Sequence, residues 1–265
     1  MSLIHRVWLV TGQYPHEAAR IVGRHEIFKD GSRKEALLDE PEYEEHPDPL
    51  PDFVLARYPH LAGSRTDAAY EVIRYLVGRG VKLDTIRRYG VLYDPESVGI
   101  VFPYTNPMGD IFGLTVRLVA EKRHFYVTPE LAGHPDIEFP SVKDSGAWFG
   151  LNLLDQTRPI FLVEGEIDAM RMSSLGIRNT VASGGTSITA EQVSEIRGLV
   201  VYLGFDTDEG GDRAVRKVGR MLRDHCELYV LDWSRHGKDP GNLPNRAALV
   251  RVLTKRITFD EYLDL

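Results

Sequence analysis

Short apolar runs alternate with amphipathic helical segments throughout the part of the chain that follows Pro159, and this alternation restricts the fold more than any other feature. Periodicity predicts strands at 160–163, 177–182, 199–205 and 228–231, and helices at 166–175, 189–197, 212–224 and 246–253. Thr189 and Gln192 have the spacing of a capping box at the start of the helix at 189–197. Strands and helices that alternate through short connections are typical of a mostly parallel sheet with helices on both faces. We therefore predict an α/β domain over residues 159–255, followed by a C-terminal tail at 256–265.

The segment before Pro159 has a mixed pattern. Helical spacing predicts helices over 67–80 and 83–89. Two β-rich runs, 98–104 and 111–119, flank a turn that contains Asn106, Pro107 and Gly109, which indicates a hairpin. A smaller mixed α+β subdomain is therefore expected over residues 61–158.

Residues 41–60 combine prolines with many aspartates and glutamates. Proline removes a backbone donor, and such a composition buries little apolar area, so this segment is predicted to be an extended acidic linker. Residues 1–40 form an N-terminal segment of uncertain fold.

Composition limits the possible classes of function. A chain of 265 residues with 43% hydrophobic content can bury a real core. Its net charge of −7 argues against bulk attraction to nucleic acid, so any such contact requires a local basic patch. The single cysteine, Cys226, excludes an internal disulfide and any zinc site built from three or four cysteines of this chain. Without a long apolar run or a signal-peptide pattern, the chain is expected to be cytoplasmic.

Acidic residues follow three of the predicted strands. Glu164 follows the first, Asp206 and Asp208 follow the third, and Asp239 lies in the loop after the fourth. Because parallel strands present their carboxyl ends at one edge, these acids are expected to converge there and to bind Mg²⁺ or Mn²⁺. The alternative is that they cap helices, as Asp208 could do for the helix predicted from residue 212.

Glycines stand in the same loops. Gly165 and Gly185 could let phosphates approach the backbone, and the alternative is that each serves a turn with positive φ.

Four motifs carry a resemblance to a known family. In chain order they are Phe161–Asp168 (FLVEGEID), Ala182–Thr186 (ASGGT), Phe205–Ala214 (FDTDEGGDRA) and Gly237–Pro240 (GKDP). Together they resemble the TOPRIM domain of DnaG-type bacterial primases. TOPRIM domains also occur in nucleases, topoisomerases and recombination proteins, so the domain alone leaves the reaction open.

The upstream segment extends the resemblance to the primase polymerase core. The matching residues are Tyr75–Val81, Ile100–Pro103, Gly109–Arg117, Tyr126, Lys143 and Trp148–Leu151. The resemblance implies synthesis of short RNA primers on single-stranded DNA from nucleoside triphosphates, with Mg²⁺ or Mn²⁺ as cofactor. The sequence shows neither a zinc module nor a P-loop, which suggests zinc-binding and helicase partners in trans and would fit a phage or mobile-element replication system.

Roles follow from the resemblance residue by residue. Glu164, Asp206 and Asp208 would be catalytic and, with Asp239, would bind the metal. Nucleic acid and nucleotide would be bound by Arg117, Tyr126, Lys143, Lys238, Gly165, Gly185 and Thr186, although the basic residues among them could also be ordinary solvated charges.

Two positions depart from the family pattern. Gly241 stands where the family usually has a second aspartate after the Asp-Pro pair, and Phe125 stands where a lysine commonly precedes the tyrosine matched by Tyr126. The alternatives to a primase are a TOPRIM nuclease that uses the same acids and a non-catalytic replication scaffold.

Overall fold

Residues 48–121, 123–140, 142–143 and 145–265 are described by the computed structural model. Ten strands in this part of the chain form one mixed sheet in the order β10-β9-β8-β6-β7-β5-β2-β3-β4, with β1 also paired to β2. The strands are β1 Leu92–Asp94, β2 Gly99–Thr105, β3 Ile111–Leu118, β4 His124–Tyr126, β5 Trp148–Phe149, β6 Ile160–Val163, β7 Thr180–Ala182, β8 Val200–Leu203, β9 Glu227–Val230 and β10 Ile257–Thr258.

Eight α-helices accompany these strands in the described residues. They are α1 Asp52–Leu55, α2 Asp67–Gly78, α3 Leu83–Arg88, α4 Glu166–Ser174, α5 Ala190–Glu195, α6 Glu209–Leu222, α7 Arg246–Thr254 and α8 Phe259–Leu263. None of the helices in this part of the chain has the length and apolar character that crossing a membrane requires.

The predicted parallel arrangement is confirmed for the block β7-β6-β8-β9, in which every neighbouring pair is parallel. The sheet as a whole is mixed, because it continues from this block into antiparallel strands. The junction is β5, which pairs with β7 through Phe149 and Ala182 and with β2 through Phe149 and Tyr104. The division near residue 158 stays a prediction, since one sheet crosses it.

Strand β6 shows how the two faces are covered. Its alternate residues Phe161 and Val163 belong to a core that contains apolar side chains of α4 and α7. Ile160 and Leu162 belong to a second core, built with α5, α6 and α8. Successive side chains of a strand point to opposite faces, so helices cover both faces of the parallel block, as predicted.

Residues 48–60 differ from the linker prediction. They include helix α1, and the side chains of Leu50, Val54 and Tyr58 are buried in a third core against the outer face of β2 and β3. The amide of Leu50 donates to the carbonyl of Ile111 at 2.7 Å. These three apolar residues are spaced four apart, and they cover apolar surface of the antiparallel strands that would otherwise face water. Burial of that surface stabilises the segment despite its prolines and acidic residues. The rest of the predicted linker, 41–47, and segment 1–40 lie outside the described residues.

The C-terminal tail predicted at 256–265 contains β10 and α8. Strand β10 pairs with β9, and Thr258 begins α8 with a capping box completed by Glu261. The capping box predicted at Thr189 and Gln192 is confirmed at the start of α5. Strands of two or three residues, such as β1, β4, β5 and β10, were missed because they are too short to show a periodic pattern.

Candidate active site

The candidate acids lie at the carboxyl edge of three neighbouring strands. Glu164 follows β6, Asp206 and Asp208 follow β8, and Asp239 lies in the loop after β9. Since β6, β8 and β9 are adjacent and parallel, their carboxyl ends meet at the same edge, where open α/β sheets commonly bind ligands.

Lys238 lies between two of these acids. Its Nζ is 3.1 Å from Oδ2 of Asp206 and 2.6 Å from Oδ2 of Asp208. One ammonium group therefore contacts both carboxylates that follow β8.

The charges of Asp206 and Asp208 also act on Glu164. Burial raises the pKa of Glu164, and the charges of Asp206 and Asp208 raise it further, against the opposite effect of Lys238. Burial also raises the pKa of Asp206, against the hydrogen bond and charge of Lys238. The hydrogen bond from Lys238 lowers the pKa of Asp208. Carboxylates that raise one another's pKa in this way favour a nearby cation.

Local sequence positions Asp206 and Asp208 at the start of α6. Oδ1 of Asp208 accepts a hydrogen bond from the amide of Gly211 at 2.9 Å, so Asp208 is the N-cap of α6. A Cβ at position 211 would collide with the carbonyl oxygen of Asp206, so only glycine allows this close approach. Capping and contact with Lys238 use different oxygens of Asp208, and the two roles are compatible.

The loops after β8 and β9 are held together by their backbones. The amide of Thr207 donates to the carbonyl of Lys238 at 2.8 Å. Nε1 of the buried Trp233 donates to the carbonyls of Gly204 at 3.2 Å and Phe205 at 3.1 Å. The position of Asp206 relative to Lys238 is therefore supported from the loop and from the core beneath it.

Asp168 is a candidate residue that the sequence-based set of site residues omitted. Its Oδ1 is buried and has no hydrogen-bond partner among the described residues. Burial raises the pKa of Asp168 to about 7, with further contributions from Asp239 and Asp206. The signal was present in the motif Glu164–Asp168, whose last residue falls in the first turn of α4.

Tyr126 and Lys143, two of the predicted nucleic-acid ligands, adjoin the loop after β7. The Tyr126 hydroxyl lies 3.5 Å from the carbonyl of Gly184, and the amide of Gly184 donates to the carbonyl of Glu164 at 3.0 Å. Nζ of Lys143 is 3.4 Å from Oγ of Ser187 in the same loop. The loop therefore connects the exposed side of the antiparallel strands to Glu164.

The remaining predicted ligands are more dispersed. Arg117 on β3 donates from Nε to the Tyr75 hydroxyl at 3.2 Å. Gly165 is the N-cap of α4, and Gly185, with φ 153°, precedes the exposed Thr186. Within the described ranges no ion pair joins Arg117 or Lys143 to the four acids.

Comparison with known proteins identifies the architecture. A Toprim-like family model matches residues 161–243. The DNA primase of Chlamydia pneumoniae is 30% identical over 196 residues, which cover 58% of this chain and 32% of that primase. A solved DnaG primase catalytic domain bound to ssDNA has a TM-score of 0.60 at 18% identity, covering 80% of this chain and 79% of that one. The RNA polymerase domain of Mycobacterium tuberculosis primase DnaG gives 0.59 at 19% identity, covering 77% and 81%.

The fold is that of the DnaG primase catalytic core. Residues 161–243 are its Toprim-like part. The match to the Chlamydia pneumoniae primase spans about a third of that primase's length.

Gly241 departs from the DnaG pattern in a way that the structure accommodates. A Cβ at this position would lie 2.8 Å from Oδ1 of Asp239, 3.0 Å from Oδ1 of Asp168 and 3.4 Å from Nη2 of Arg79. An aspartate would thus add a third carboxylate to a space that two already border. The absence of a side chain at Gly241 lets Asp168, Asp239 and Arg79 approach one another.

The donor set of this site suits a hard divalent cation, since its candidate ligands are carboxylate oxygens. One of them, Oδ1 of Asp168, is buried and has no hydrogen-bond partner among the described residues. In the described part of the chain no three His, Cys, Asp or Glu side chains already form a metal-binding group. Lys238 contacts Asp206 and Asp208 directly. A cation that binds these two residues would take the place of the ammonium group.

Proposed function

We propose that this chain is the catalytic core of a DNA primase, which synthesises short RNA primers on single-stranded DNA by metal-dependent nucleotidyl transfer. The observation that carries the proposal is the path from Tyr126 through Gly184 to Glu164, which joins a basic and aromatic surface to a carboxylate cluster. Polymerisation requires both features side by side, one to hold a polynucleotide and the other to hold the reacting phosphate.

The carboxylates have distinct proposed roles. Asp206 and Asp208 would hold Mg²⁺ or Mn²⁺, with Asp239 as an additional ligand. The bound cation would neutralise charge on the phosphate under attack. Glu164 would be a further ligand or the base that accepts a proton from the attacking 3′-hydroxyl, and its raised pKa suits the second role.

The cationic and glycine residues would bind the substrates. Lys238, once released from Asp206 and Asp208, would contact the triphosphate together with the backbone near Gly165, Gly185 and Thr186. Arg117, Tyr126 and Lys143 would line the groove for template and nascent RNA, where aromatic rings stack on bases and cations contact phosphates.

The test replaces the two central carboxylates. Asp206→Asn with Asp208→Asn should reduce Mg²⁺-dependent primer synthesis from nucleoside triphosphates and single-stranded DNA to background, while thermal melting shows a folded protein. The matched control is Asp224→Asn, an exposed aspartate beyond the opposite end of α6, which should keep full activity. Primers made by the double variant would refute the metal assignment.

The same assay separates the rival functions. Loss of the template strand in place of primer formation would indicate a nuclease, and the absence of both products would indicate a non-catalytic scaffold. We further propose that the chain works with a zinc-binding partner and a helicase partner. Stimulation of primer synthesis by an added zinc-binding protein tests the first of these.

A further inference from the structure

A buried carboxylate lies two residues after Glu164. Glu166 is 5% exposed, and its Oε1 accepts hydrogen bonds from the Tyr104 hydroxyl at 2.8 Å and the Thr115 hydroxyl at 2.8 Å. The same oxygen lies 3.2 Å from Nε2 of His124. These three partners come from β2, β3 and β4, so one carboxylate at the start of α4 connects to three antiparallel strands.

Glu166 needs a basic partner because its carboxylate is buried. A buried negative charge of this kind is stable only when it is hydrogen-bonded and balanced by a cation. In the described ranges the basic side chain that contacts Glu166 is His124, through the imidazole Nε2.

His124 also reaches the surface. Its side chain is 34% exposed, against 7% for that of Glu166. A protonated imidazole donates through both ring nitrogens, so one nitrogen can bind Glu166 while the other remains free for an acceptor outside the core.

Strand register places His124 beside the proposed nucleic-acid ligands. In the antiparallel pair β3–β4, His124 is opposite Arg117 and Tyr126 is opposite Thr115. Directly opposed residues share a face of the sheet, so His124, Arg117 and Tyr126 point to the same side.

The register also explains the departure at Phe125. This residue is opposite Val116 and packs into the core on the other face of the sheet, with Leu114 and Val127. A lysine at position 125 would therefore point away from Arg117 and Tyr126. The position on β4 that can offer a cation to that side is His124.

We propose that His124, oriented by Glu166, is a cationic contact for the phosphate backbone of single-stranded nucleic acid, next to Arg117. This inference rests on the proposed function, because it assigns one more ligand to the same groove. Glu166 is then a positioning residue, since it acts through His124 and does not touch the polynucleotide.

The experiment measures binding of a fluorescent single-stranded oligodeoxynucleotide by anisotropy over a series of KCl concentrations. His124→Gln should weaken binding about three- to tenfold at low salt and reduce the slope of log K against log [KCl] by about 0.7, the value for one phosphate contact in a single strand. His124→Lys should restore both quantities. His225→Gln is the matched control, because this partly exposed histidine follows α6 at the opposite edge of the sheet and should bind as the unmodified protein does.

The outcomes distinguish the two proposals. An unchanged affinity and slope for His124→Gln would overturn the assignment of His124. It would leave the proposed groove for template and nascent RNA unaffected. A loss that His124→Lys does not restore would also overturn it, because the residue would then matter for packing and not for charge. If the unmodified protein binds no single-stranded DNA, the proposed function fails together with this inference. Thermal melting of each variant verifies that it is folded.

Discussion

At the residue scale, Lys238 and the two aspartates that it contacts combine structural and chemical roles. Asp208 caps α6 through Oδ1 and contacts Lys238 through Oδ2, while Asp206 contacts the same ammonium group. The hydrogen bonds to Asp208 and Asp206 raise the pKa of Lys238, so it remains charged at neutral pH. Lys238 is therefore a counterion for the proposed metal ligands, and we expect it to compete with a metal cation for them.

This competition leads to a prediction for Lys238→Gln. Without the ammonium group the two carboxylates repel each other, so we expect a lower Tm in the absence of metal and a larger gain in Tm on addition of Mg²⁺. Binding of Mg²⁺ should be several-fold tighter, which calorimetry can measure. Lys217→Gln removes an exposed lysine of α6 and serves as the control, with no change in the Mg²⁺ response expected. Equal Mg²⁺ affinity in both variants would show that Lys238 does not compete with the metal.

At the element scale, α6 and α8 pack closely because α6 has no side chain at Gly219. A Cβ at this position would overlap the ring of Phe259, the buried first residue of α8. The short C-terminal helix is thereby held against the face of the sheet that α6 covers. Close packing of this kind leaves no room for even one added methyl group.

Gly219→Ala should therefore reduce the free energy of unfolding by about 1–3 kcal/mol, the usual cost of overpacking a core. Gly78→Ala is the matched control, since Gly78 is exposed in the last turn of α2 and a Cβ there would contact nothing within 4 Å. Alanine favours a helix over glycine by up to about 1 kcal/mol, so the control should be neutral or slightly stabilising. Urea denaturation measures both values, and equal effects of the two substitutions would contradict the packing argument.

At the scale of the whole molecule, the segment before β6 and the Toprim-like part share one sheet and several hydrogen bonds. The Tyr89 hydroxyl donates to the carbonyl of Thr180 at 2.9 Å, and Arg171 donates from Nη1 to the carbonyl of Gly80 at 2.8 Å. Together with the contacts of Glu166, these bonds join elements that are far apart in sequence. We expect a change in any of the shared cores to alter the stability of the entire described unit.

Glu195 provides a test of that stability through pH. Burial raises the pKa of its carboxyl to about 7 from the usual 4.5, so the folded state holds a proton that the unfolded chain has already released between these values. This contribution to stability is fully present below pH 4.5 and is lost as pH rises towards 7 and beyond. Glu195→Gln removes this titration. The free energy of unfolding of the variant, taken relative to that of the unmodified protein, should therefore increase by on the order of 2 kcal/mol from pH 4.5 to pH 7.5.

Denaturant unfolding at several pH values measures this difference. Glu191→Gln changes an exposed glutamate on the same helix and should follow the pH dependence of the unmodified protein. A constant difference between Glu195→Gln and the unmodified protein across the range would show that Glu195 titrates alike in the folded and unfolded states.

Local pattern was sufficient to predict much of the parallel block. The predicted bounds of β6 agree with the structure, and the ends of β8 and β9 differ by only one or two residues. The capping box of Thr189 was visible in the sequence, whereas α6 begins at Glu209, three residues earlier than predicted, because Asp208 caps it. Periodicity and capping depend on neighbouring residues, so a sequence records them directly.

The sequence by itself therefore determined the α/β alternation and the placing of Glu164, Asp206, Asp208 and Asp239 just after strands. Only the tertiary structure decided the pairing of β4 with β3 and of β5 with β2 and β7. It also decided the position of Lys238 between two carboxylates and the contact of Glu166 with His124. Most of these features join residues tens of positions apart, and two- or three-residue strands carry no periodic signal of their own. Burial and charge pairing between distant segments select such contacts, and both arise only when the chain has folded.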